Sequence, residues 1–558
     1  MAVITAETNP TFKNYVRKLA PDDGSDVILD LVDHATEELL NIAVSVYNKA
    51  VETGDKMLFT VGGGGDSSTI RTGVNNEANA GYSAAVAGQL NEALAPQSFI
   101  GGGSTNKISP VLHPTIPTDS KYSAIVGGYK NQIFAESAFI GAGAYNLIWP
   151  NAFPAVEAHY SAICGGFSNK ITGRYAFVGG GYHNNTGGLA SAVLGGYYNS
   201  GQITAPFCCI AGGSDNRTNA GGGCFIGGGI DNEILVSNGS AIVGGYGNNI
   251  GSTSSYSAIL GGYQNRISNV ATRSLIGGGE ENLIGGSSDR CFIGGGAYNE
   301  ISGSGVRMAS WSVIGGGYYN QIVASVGSGA QMCFIGGGRE NEITGSEGSM
   351  IGGGIGNTIT GSVYSSVSGG YNNDVDSDLF SNISGGYANV IGSSLGAAIS
   401  GGMSNSISSG YYNAVSGGYS NDIQAGSACS TILGGAGNAV GGSYSVAAGY
   451  AANVAHDGCF VFSDVAGGGL SSTAAGQFLV SASGGFGLGH NDPKTQLHTV
   501  GGTILGAKNS AEADASLKND AGNNWGNVNL WLDESNNELE FKVKYSDGTV
   551  KSGAISLS

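Results

Sequence analysis

Ser312-Val313-Ile314-Gly315-Gly316-Gly317-Tyr318-Tyr319-Asn320-Gln321-Ile322 is the stretch on which the reading of the chain turns. It recurs at Cys333 to Ile343, again at Ser349 to Ile359, and in some form from about residue 61 to residue 455. As a rule it reads small-x-Ile-x-Gly-Gly-Tyr-x-Asn-x-Ile. A repeat explains its own residues, so it has to be recognised before any local motif is read.

The asparagine keeps the register. It stands at 106, 131, 146, 169, 184, 199, 216, 232, 248 and then at Asn265, Asn282, Asn299, Asn320, Asn341 and Asn357. It continues at 373, 389, 405, 421, 438 and 453, mostly at intervals of 15 to 17 residues, with weaker copies at Asn91 and Ser68. Six residues before each asparagine from Asn106 to Asn438 stands Ile or Val.

Each repeat holds two short period-two segments, one ending at the glycines and one around the asparagine, as strands require. A single coil cannot bury its apolar row, so copies must stack as rungs. The spacing predicts an all-β, parallel β-roll or β-solenoid. About 23 rungs at ~4.8 Å would make a rod of roughly 110 Å. Asparagine amides in register can donate to and accept from one another along such a stack. The tyrosines two residues before the asparagine, Tyr182 and Tyr197 among them, form an aromatic stripe at a turn. The residue seven before it is often large and apolar (Phe139, Phe225, Phe292, Phe334) and points outward. A row of exposed Phe invites association, so rods are expected to pack side by side, as a homotrimer.

Composition agrees. The 558 residues include 101 glycines but only 10 prolines, and 11% are charged. The net charge of -18 argues against nucleic-acid binding, which needs clustered Lys and Arg. No run of 18 apolar residues predicts membrane insertion, and the first residues lack the basic and apolar regions of a secretion signal. Of the eight cysteines, Cys208, Cys224, Cys291 and Cys333 lie eight residues before a ladder asparagine, where serine stands in most other copies. They read as small buried residues rather than disulfide partners.

The ends differ from the repeats. Residues 1–60 read as an attachment segment with a helix over 25–53, its apolar positions Ile28, Val32, Ala35, Leu39, Ile42 and Val46 forming a short coiled-coil seam. Residues 456–505 form a transition. Residues 506–558 read as a small antiparallel meander closing the stack, with Val528, Leu530 and Leu532 alternating and a turn at Asp547-Gly548.

The cassette resembles the head repeats of trimeric autotransporter adhesins and related repeats of phage tail fibres. That resemblance implies a left-handed parallel β-roll packed as a trimer over residues 61–455. It departs from the adhesins in its Asn-x-Ile segment, its longer period and both chain ends. A second resemblance, to a segment common after such repeats in phage fibres, lies at Gln477-Phe478-Leu479-Val480-Ser481-Ala482-Ser483-Gly484-Gly485-Phe486-Gly487-Leu488-Gly489. Together these imply a virion fibre.

No chemistry-bearing motif competes with that reading. The glycine runs lack the lysine and following hydroxyl of a phosphate loop, and the seven histidines are scattered. Asp374, Asp376 and Asp378 open like a calcium loop, but Leu379 stands where the loop glycine belongs. No catalytic residue, metal or cofactor is expected. Insertions at about 107–122, 147–160, 302–311 and 323–332 map to loops, where repeat scaffolds often bind. Trp149, Tyr160 and Trp311 fall in or beside them and are the candidate ligand-binding residues, either as sugar platforms or tucked against a subunit seam.

The expected function is a structural, receptor-binding fibre. It docks on a virion or baseplate protein through residues 1–60, meets host surface glycan or protein, and is exposed extracellularly on the released virion. A tailspike-like polysaccharide depolymerase and a cell-surface adhesin are the alternatives.

Overall fold

The computed structural model describes residues 74–484 with short breaks, at 114–115, 119, 153–154, 157, 203, 269, 305–307, 326–327 and 465–468. It also describes the strands or strand pieces at 42–44, 59–61, 69–70, 486–488, 497–499, 528–533, 538–544 and 549–556. The chain divides into two compact units, Met1–Tyr412 and Asn413–Ser558.

The first unit is a parallel β-solenoid. One sheet runs from Thr69–Ile70 to Ala398–Ile399 and a second from Glu77–Ala78 to Ser406–Ile407, twenty strands in each. Every strand pairs with its counterpart one coil away: Val313 with Phe334 and Ile314 with Ile335 in the first sheet, Gln321 with Glu342 and Ile322 with Ile343 in the second. Between them a line of single parallel bridges joins the residues two before the asparagine, as in Tyr318 to Arg339.

The strands are short because the coil turns at left-handed residues. In the quoted coil these are Trp311 (φ 62°), Gly317 (φ 99°) and Tyr319 (φ 54°). Only glycine fits the second of them. A Cβ on Gly317 would run into the Gly338 carbonyl oxygen of the next coil and lie 2.6 Å from the Asn320 amide nitrogen. The other two corners accept side chains at the modest cost of αL backbone.

The core is a set of columns. Ile314, Ile335 and Ile351 belong to one, Ile322, Ile343 and Ile359 to another, all wholly buried. Each such isoleucine contributes roughly 1.5–3 kcal/mol of burial, but only because neighbouring coils cover it. The asparagines form a third column. Asn320 Nδ2 donates to Gly316 O (2.9 Å) in its own coil, Gly338 O (3.0 Å) in the next and Asn299 Oδ1 (3.1 Å) in the previous one. Its Oδ1 accepts from the backbone N–H (3.2 Å) and the side-chain amide (3.0 Å) of Asn341. The ladder expected from the spacing is therefore present, and it also closes the glycine turn of each coil.

Its ends needed the structure. Among the described residues it starts at Asn76, whose Oδ1 accepts from Asn91 N (3.0 Å). In the second unit Ala452, not Asn453, takes the slot after Asn438, its N–H donating to Asn438 Oδ1 (2.9 Å). Asn453 is exposed, and the spacing alone could not separate neighbours one residue apart. Ser68 lies outside the described residues.

Cysteine does replace serine in the small slot. Cys291 N–H donates to Ser274 Oγ (3.1 Å) and Cys291 Sγ to Ala309 O (3.0 Å), the contacts a serine makes at other coils. All eight cysteines are free, and burial pushes the Cys291 and Cys333 thiols up to about 12.

Three insertions fold on themselves: Val111–His113 pairs antiparallel with Ile116–Thr118, Asn151–Ala152 with Ala155–Val156, and Ser325 bridges to Ser328.

The second unit has a parallel sheet of its own, running from Ala414–Val415 through Thr431–Ala436, Val446–Tyr450 and Phe460–Ser463 to Phe478–Ser481. The Gln477 to Ser481 segment thus supplies a rung. Val528–Asp533, Glu538–Lys544 and Val550–Ser556 form the antiparallel meander expected near the C-terminus; its Asp547-Gly548 turn lies outside the described residues.

The helix expected over 25–53 is not borne out where it is described. Ile42–Val44 is a strand, antiparallel to Phe59–Val61. Ile42-Ala43-Val44 alternates with period two as well as fitting a heptad seam, and pairing with Phe-Thr-Val decides between them. The rest of that span lies outside the described residues. Among the described residues there is no helix, hence none long and apolar enough to cross a membrane.

Candidate binding surface

The interior columns are sealed by the next coil, so any recognition belongs to the outward slots. The corner before the small slot carries one such column, and Tyr160, Tyr175, Arg290 and Trp311 all stand in it with φ between 55° and 62°. Tyr160 stacks on Tyr175 (5.2 Å, 15° between planes), with the Arg174 guanidinium 5.6 Å from the first ring and 4.9 Å from the second. Trp311 lies under Arg290, 4.5 Å away. Where this slot holds Gly239, Gly348 or Gly396, the tyrosine of the following coil (Tyr256, Tyr364 or Tyr412) lies over it. Tyr160 and Trp311 are thus members of one repeating corner, not loop residues.

Trp149 is placed differently. It follows the second-sheet strand Leu147–Ile148, donating its N–H to Ile171 O (3.0 Å), and packs edge-on against Phe134 at 4.4 Å. The three candidates therefore sit in separate contacts, and all three remain exposed.

The turn after the glycines bears a double column. In the slot two before the asparagine Phe167, Tyr182 and Tyr197 stack at 5.1–5.2 Å within 10° of parallel. In the slot one before it His183 and Tyr198 stack at 4.8 Å and 2°. Tyr246 with Tyr263 (5.4 Å) and Tyr371 with Tyr387 (5.3 Å) continue the first column further along. The stripe read from the tyrosine spacing is real. Its second column was missed, because His, Tyr, Asp and Gly alternate there without a rule.

No family model matches the chain. None of the curated proteins compared with it is significantly similar either.

A third surface is the outer face of the first sheet. Phe99, Phe139, Phe225, Phe292, Phe334 and Met350 stand on it, each 37–43% exposed. Its two outward slots, two residues apart, compensate in size. Phe99 is followed by Gly101, Phe225 by Gly227, Phe292 by Gly294 and Phe334 by Gly336, with each ring's Cε1 only 3.3–3.6 Å from where that glycine's Cβ would be. Where the first slot is Ala124, Ala192, Ala241 or Ala258, the second is Val126, Leu194, Val243 or Leu260. Most coils keep one large apolar group in one slot or the other, the coils with Ala162 and Cys164 and with Cys209 and Ala211 being exceptions. The sequence carries this signal openly once the two slots are read together.

Among the described residues no group of three or more His, Cys, Asp or Glu is placed to hold a metal. Asp374 and Asp376 point outward while Asp378 is buried, so the three do not converge.

Proposed function

We propose that the chain is the shaft and receptor-binding part of a virion fibre, assembled as a homotrimer through the outer face of the first sheet. The observation that carries this reading is the size-compensated apolar stripe from Phe99 to Met350. Its surface repeats once per coil, and a second and third copy of the same stack, with the same ~4.8 Å rise, supply the period that matches it. The resemblance to trimeric adhesin heads and phage fibre repeats points the same way. On this reading residues 1–60 dock on a virion or baseplate protein, and the corner and turn aromatics, Tyr160, Trp311 and Trp149 among them, face host surface glycan or protein. The fibre is exposed extracellularly and acts by adhesion rather than catalysis, without metal, cofactor, nucleic acid or membrane insertion.

A polysaccharide depolymerase and a cell-surface adhesin are the competing readings. The labelled protein, applied to arrays of immobilised bacterial capsular polysaccharides and lipopolysaccharides, is expected to be retained on a subset with no new reducing ends released. Steady release of reducing sugar would establish the depolymerase, and retention on none of the arrays would overturn glycan adhesion.

A further inference from the structure

The double aromatic column breaks for two coils. In the slot two before the asparagine the order is Tyr182, Tyr197, Ser214, Ile230, Tyr246, Tyr263; one before it, His183, Tyr198, Asp215, Asp231, Gly247. Tyr198 is covered on one side by His183, and the next coil offers only Asp215, so its other face is open. Tyr246 is covered by Tyr263 on one side and has Ile230 on the other. Between these rings lies an open groove of about 630 Å³, lined by His183, Tyr198, Asp215, Arg217, Asp231 and Tyr246, with Asn185, Ser200 and Ile230 completing its walls. Three coil steps at ~4.8 Å separate the two aromatic ends, roughly 14 Å.

The interior pattern also breaks beside the groove, at the coils of Asn184, Asn199 and Asn216, the last of which lies within the aromatic break. The second apolar column, isoleucine almost throughout, reads Thr186, Gly201 and Thr218 here. The Thr186 hydroxyl is buried without a hydrogen-bond partner, and the space beside Gly201 is bounded by the Thr186 and Thr218 hydroxyls at 3.4 and 3.6 Å from a would-be Cβ. Packing gains nothing from that exchange. Places where a consistent pattern is broken at a cost to stability are where function is expected.

We propose that this groove binds a short stretch of neutral oligosaccharide, two or three pyranose rings long. Pyranose rings offer apolar faces to aromatic side chains and hydroxyls to carboxylate, amide and guanidinium groups. Tyr198 supplies a stacking face at one end, Ile230 and the edge of Tyr246 close the other, and Asp215, Asp231, Asn185 and Arg217 supply the hydrogen bonds between. Two carboxylates against one guanidinium, on a chain of net charge -18, disfavour a polyanionic glycan. The inference rests on the fibre reading for its biological sense and names the class of receptor.

The test is saturation-transfer NMR and titration of the full chain with malto-, cello- and chito-hexaose, and with a heparin hexasaccharide as the anionic control. At least one neutral sugar is expected to bind, with affinity reduced about tenfold or more by Tyr198→Ala and by Asp231→Ala and unchanged by Ser384→Ala. All three positions are exposed, and matching thermal melts would show that the variants fold. Absence of binding by all three neutral sugars, preference for heparin, or binding that survives both groove substitutions would overturn the groove. The fibre reading would survive these results provided the solution mass remains that of three chains, so the two can fail separately.

Discussion

Coils from Phe99 to Ile351 and coils from Ser366 to Ser400 share one interior and differ outside. Behind both run the same columns. Asn389 Nδ2 reaches Gly385 O (3.0 Å), Gly402 O (3.1 Å) and Asn373 Oδ1 (3.1 Å), the set that Asn320 makes one stretch earlier. On the outer face of the first sheet, however, Phe, Leu, Val and Met give way to Ser366, Ser368, Asn382, Ser384 and Ser400. The fold therefore does not require the apolar exterior. Coils without it stack with the same geometry, so stacking alone does not account for the large apolar groups that most coils from Phe99 to Met350 present; on the proposed reading, association does.

The sharpest way to break this comparison is to attack the shared interior in both regions. Asn320→Leu and Asn389→Leu each strand two glycine carbonyls and both neighbouring asparagines, and burying such groups unpaired costs about 1–3 kcal/mol apiece. Each substitution should destabilise by about 4 kcal/mol or more, and by similar amounts. Hydrogen exchange of the flanking coils checks this, since stability in a stack is passed between neighbours. A large effect at Asn320 with none at Asn389 would show that the two interiors are not equivalent.

A smaller effect sharpens the polar region. Asp378 occupies a corner column otherwise built of Ser346, Ser362 and Ser394, wholly buried, with Oδ2 unpartnered. Burial pushes its carboxyl up to about 6 from 3.8, the Ser394 N–H offsetting part of the shift while Asp376 and Asp374 add to it. The folded state holds the proton more tightly than the unfolded one. The contribution of this group is thus most favourable below pH 4 and is lost as pH rises through about 6. Asp378→Ser should leave stability near pH 4 little changed and raise it at pH 7.5 by about 3 kcal/mol. Thermal melts of both proteins at the two pH values measure the difference. An equal gain at both would mean that packing, not charge, sets the cost.

The interior was legible because each of its columns is filled by nearly one residue type at a fixed offset. The asparagine, its partner six residues earlier and the serine-cysteine slot could be read without coordinates. The corners were not. Tyr160 and Trp311 occupy a left-handed position that also holds Arg, Met, Gly and Ser, so composition gives no rule, and adjacent insertions drew both residues into loops that they only flank. Asn453 misled for the opposite reason, being the right residue one place late. The size compensation between Phe292 and Gly294, or Ala241 and Val243, was visible but required reading two outward slots as a pair. The interruption at Asp215 and Asp231 had no meaning until the rings on either side were seen to stack.

Solution mass by multi-angle light scattering tests the central claim, that the apolar exterior is covered by further copies of the chain. Three chains of 55.9 kDa are expected for the native protein and for Asn382→Glu, whose charge falls on the polar exterior, while Phe292→Glu should reduce the assembly to single chains. A native protein that runs as a monomer, with the whole stripe from Phe99 to Met350 facing water, would contradict the account.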